Sequence, residues 1–163
     1  MASDPHAPAP ADSTRRRDAL AFIAAAIILF FAIDLAADVV ARTAIRGQSI
    51  ALAVREHLYY ASVQLPGTAF LSLPYVGLAF MGLPVLRRRG AIAGALFLLC
   101  GVGLLGGVYG FGYQQSALSM LARHWTAAAL TMGMMPILSV PVLLLAFGVR
   151  LLATRGRTTR RLG

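Results

Sequence analysis

Lysine is absent from this 163-residue chain, cysteine occurs once, and no carboxylate follows Glu56. The single Cys100 sits in the middle of an apolar run, so it forms no intramolecular disulfide and offers no pair for zinc or redox chemistry. Charged residues are scarce, at 13% against 58% hydrophobic, and the mean hydropathy is +0.73. That balance argues against a water-soluble globular domain. Catalytic patterns are missing too. REHLYY places no second histidine one helical turn on, as HExxH would require, and the serines Ser72, Ser116, Ser119 and Ser139 are scattered outside any nucleophile motif. No catalytic residue, metal ligand or cofactor is assigned on this reading.

What the chain does have is long apolar stretches separated by arginine. A helix needs ~20 apolar residues to cross a bilayer, and four stretches qualify, at about 19–41, 66–86, 91–112 and 125–149. The expected fold is an all-α membrane protein with four transmembrane helices. Residues 1–18, rich in Ala and Pro, are expected as a disordered cytoplasmic tail. Residues 19–153 form the membrane domain, and 154–163 a basic cytoplasmic tail. The first span follows Arg15, Arg16 and Arg17 like a signal sequence. It lacks a convincing cleavage site, so it reads as a retained anchor.

All fifteen basic residues are arginine. Eleven fall before the first span, between the second and third, or after the fourth, against four on the opposite side, Arg42, Arg46, Arg55 and Arg123. Because arginine resists translocation, both termini are expected in the cytoplasm of a bacterial inner membrane. Topology also accounts for the basic pI near 11.3, so nucleic acid is not an expected partner. Tyr59, Tyr60, Tyr109, Tyr113 and Trp125 would then gather at the outer interface. Tyr113, Gln114, Gln115 and Ser116 read as a polar loop. Between the first two spans, Ile50, Val54, Leu58, Ala61 and Leu65 recur at helical spacing, which suggests a short helix on the outer surface.

Ionisable groups inside a span are costly, and so are candidates for function. Asp34 and Asp38 lie four apart on one helical face, and Arg42 follows Asp38 in the favoured order for an ion pair. From Ala19, at 1.5 Å per residue, Asp34 lies ~23 Å into a ~30 Å core, close to the outer edge. That depth favours contact with interfacial water or a hydrogen bond to another helix. A buried proton- or cation-carrying carboxylate is the alternative. Glu56, His57, Arg123 and His124 are expected to form an outer-face cluster if the ends of the first and fourth spans meet. A metal-dependent enzyme at that face is the weakest reading.

The third span contains Gly103, Gly106, Gly107 and Gly110 at small-xxx-small spacing, which lets helices approach closely and marks this span as the packing centre. Its formal GxGxxG, residues 101–106, has no preceding strand and carries no dinucleotide meaning. Met132, Met134 and Met135 read as adaptable packing rather than copper ligands. Pro136 and Pro141 are expected to kink the fourth span.

With little equipment for chemistry, the leading expectation is a non-enzymatic accessory or assembly subunit of a larger membrane complex. The alternative is a small oligomeric proton- or cation-coupled transporter or channel using Asp34. The implied partners are membrane lipid together with other membrane-protein subunits or further copies of the chain.

Overall fold

The computed structural model describes residues 10–155, with side chains from residue 16 onward. The described chain forms six helices: α1 (Pro10–Arg46), α2 (Ile50–Val63), α3 (Leu65–Arg89), α4 (Ala91–Leu121), α5 (Trp125–Leu138) and α6 (Val140–Arg155). Four stretches, Arg16–Arg46, Leu65–Arg89, Ala91–Leu121 and Trp125–Arg155, are long and apolar enough to cross a membrane. This is an all-α, multi-pass membrane protein.

The helices are longer than the apolar runs alone suggest. Residues 10–18 of the expected tail belong to α1, while 1–9 lie outside the described residues, as do 156–163 of the basic tail. The expected loop at Tyr113 to Ser116 is helical, and α4 continues to Leu121. Polar side chains do not end a helix when they have partners inside the bundle, and Tyr113 and Ser116 are both buried there.

Turns come where the backbone needs them. Gly47, at φ 65°, closes α1, and the Gln48 N–H returns to the Arg42 carbonyl. Gly90, at φ 91°, forms the one-residue joint between α3 and α4. α4 ends in a Schellman turn, with Arg123 at φ 59°, Arg123 N–H bonded to Met120 O and His124 N–H to Ser119 O. The fourth span breaks at Ser139, between Pro136 and Pro141. Pro141 has no N–H to donate to the preceding turn, so the regular ladder is interrupted there.

The core is built around α4, which packs against α1, α3, α5 and α6. Its close approaches use different glycines from those expected. A Cβ at Gly101 would meet Leu78, at Gly94 Leu86, and at Gly112 the buried Met135. Gly103, Gly107 and Gly110 have no atom of another element within 4 Å of such a Cβ, and Gly106 touches only Ile33. Gly103 lies two residues, about 200°, around the helix from Gly101, and so faces away from the chain's own helices. As packing points within this chain, Gly103, Gly107 and Gly110 are corrected to outward-facing positions.

Candidate functional site

The buried face of α1 is a single stripe at spacings of three and four: Phe22, Ala26, Phe30, Asp34, Asp38 and Ala41. The two aspartates share a face with the core residues and therefore point into the bundle. Asp34 is only 3% exposed and Asp38 6%.

Three elements supply their partners. From α4, the Tyr113 hydroxyl donates to Asp34 Oδ1 at 2.6 Å. From α2, the buried His57 places Nδ1 2.9 Å from Asp38 Oδ2 and Nε2 3.6 Å from Asp34 Oδ2. One turn further along α1, Arg42 donates through Nε to Asp38 Oδ1 at 2.8 Å and through Nη1 to Glu56 Oε2. Gln48 Nε2 reaches the same Glu56 oxygen at 3.4 Å. Arg42 therefore bridges α1 and α2, and His57 spans two carboxylates of α1.

α2 holds His57 in place because its protein-facing side is Ala53 and His57, after an N-cap in which Ser49 Oγ accepts from the Leu52 N–H. The apolar stripe expected from the sequence lies largely on the other side, with Ile50, Leu58 and Leu65 exposed.

Below the polar groups lies a layer of rings. Phe30, Tyr75 and Tyr109 pack with centroids 5.2 to 6.3 Å apart. Tyr109 donates to the Leu71 carbonyl of α3. Tyr75 is fully buried, and among the described residues its hydroxyl has no hydrogen-bond partner. Such a group costs stability unless something answers it.

Tyr109 and Tyr113 are thus buried inside the bundle, whereas Tyr59, Tyr60 and Trp125 are exposed. The reason is the length of α4, which carries both tyrosines past α1 and α3 before it ends. Arg123 and His124 stand apart from the cluster, exposed at the end of α4. α1 and α5 make no contact among the described residues, so the ends of the first and fourth spans do not meet. Tyr113, Tyr109 and Tyr75 were missed as site residues. Their signal was a phenol hydroxyl within or next to an apolar run, which needs a partner wherever neighbouring helices bury it.

The cluster holds three carboxylates, one guanidinium and one imidazole. With all three carboxylates ionised, one negative charge is unbalanced even when the imidazole is charged. With the imidazole neutral, two are. Among the described residues, no group of three His, Cys, Asp or Glu side chains is arranged to hold a metal ion. Comparison of the chain with protein-family models, with curated proteins and with solved structures gives no match.

Proposed function

We propose that this chain takes up a proton or small cation at Asp34, as a small oligomeric proton- or cation-coupled transporter or channel. We place it in the bacterial inner membrane with both termini cytoplasmic, the orientation that the eleven-to-four distribution of arginines favours. One observation carries the functional reading: Asp34 is buried inside the bundle and shares an imidazole with a second buried carboxylate. An unbalanced charge in a membrane interior is expensive, and a proton or cation that arrives and leaves is what such a site exchanges.

A second reading is a non-enzymatic accessory or assembly subunit of a larger membrane complex, with the cluster acting as a clamp that fastens α2 to α1. It is favoured by the outward-facing Gly103, Gly107 and Gly110 of α4.

Purified protein in vesicles with a trapped pH indicator separates the two. Transport predicts cation- or pH-driven proton flux in the wild type and its loss in Asp34→Asn, with helicity and elution volume unchanged. A wild type with no flux, recovered from native membranes in stoichiometric complex with a larger protein, would replace transport by the accessory reading.

A further inference from the structure

A groove of about 550 Å³ opens between α3, α4 and α6, far from the polar cluster. Its walls include Leu96, Cys100 and Leu104 of α4 with Leu145 and Val149 of α6, and among the described residues Arg89 is the only charged one lining it. From Ala93 at the Arg89 end to Leu104 at the other is eleven residues of α4, or ~16 Å. That is about half of a ~30 Å hydrocarbon core, the depth of one leaflet.

We propose that this groove binds one acyl chain of an anionic glycerophospholipid whose phosphate is held at Arg89. The inference is independent of the transport reading and of the orientation of the termini. Three features select this occupant. The walls are apolar along the whole length, so they suit a hydrocarbon chain. The trough is one leaflet deep, so a lipid lying in it places its phosphate at the membrane surface. The guanidinium stands at that surface end. Arg89 donates through Nε to the Ala153 carbonyl, which fixes the side chain across the groove mouth. A guanidinium has five N–H donors, so its two terminal amino groups suit the bidentate pairing that phosphate favours. The surroundings are basic as well. At this end, residues 16–155 contain Arg16, Arg17, Arg87, Arg88, Arg89, Arg150 and Arg155 against the single carboxylate of Asp18. A zwitterionic lipid would gain less from that field.

The test is native mass spectrometry of the full chain from detergent supplemented with equal amounts of phosphatidylglycerol and phosphatidylcholine. The wild type is expected to retain one phosphatidylglycerol, with a preference of about fivefold or more, the ratio that one arginine near the surface provides. Arg89→Gln should bring the two lipids to near-equal retention, and Arg89→Lys should restore most of the preference. Arg150→Gln, at the same end but held over Phe147 and contributing only to the general basic field, should lower the preference much less than Arg89→Gln does. Ala93→Phe, which fills the groove near its mouth, should reduce retention of both lipids. If the wild type shows no preference, or if Arg150→Gln lowers it as much as Arg89→Gln, the site is overturned in favour of ordinary boundary lipid on a basic surface. Undiminished retention of lipid in a folded Ala93→Phe would overturn it too.

Discussion

Arg42 joins α1 to α2 through Asp38 and Glu56, and Arg42→Met removes its charge while keeping most of its length. The guanidinium and the Asp38 carboxylate are 2.8 Å apart, with side chains 13% and 9% exposed. Glu56, its other partner, is 34% exposed. Breaking a buried pair leaves an uncompensated charge and costs about 3–5 kcal/mol. The more exposed contact to Glu56 adds about 0–1 kcal/mol. The variant is therefore expected to lose about 3–5 kcal/mol, close to the whole stability of many domains. The assay is equilibrium unfolding in mixed micelles of rising sodium dodecyl sulfate fraction, followed by circular dichroism. Asp38→Asn and the double variant complete a thermodynamic cycle. The double variant should be less destabilised than the two single losses added together, by about 1–3 kcal/mol, because it leaves no Asp38 carboxylate facing the imidazole alone without its guanidinium. If both single losses fall below about 1 kcal/mol and add, the pair behaves as a water-exposed one, and the argument that α2 is clamped by a desolvated charge network is refuted.

Two further outcomes follow from the same geometry. Tyr113→Phe removes the one donor to Asp34, among the described residues, other than the imidazole and should cost about 1.5–3 kcal/mol in the same unfolding assay; a change within error would mean that Asp34 is served by something other than this phenol. Gly101→Ala sets a Cβ 2.5 Å from a methyl carbon of the fully buried Leu78 and should destabilise by about 1–3 kcal/mol, whereas Gly103→Ala meets nothing and should be neutral or slightly stabilising. Equal effects at the two glycines would contradict the assignment of inward and outward faces of α4.

What could be read from the residues alone was whatever depends on local composition. Apolar runs longer than a bilayer thickness, with arginine between them, specify four membrane-crossing helices, since in lipid the backbone must satisfy its own hydrogen bonds. The four-residue spacing of Asp34, Asp38 and Arg42 places them on one side of α1 whatever the rest of the chain does. Long-range choices were not legible in this way. Measured along one helix, Asp34 stands near the outer edge of the membrane; its burial depends on α2 folding back with His57 and on α4 continuing to Leu121, neither of which is encoded near residue 34. The glycines show the same limit. Two faces of α4 carry small residues, and only the positions of Leu78, Leu86 and Met135 on neighbouring helices decide that Gly94, Gly101 and Gly112 pack while Gly103, Gly107 and Gly110 look outward. Periodicity determines which residues share a face, but which face turns inward is set by the partners that fill it.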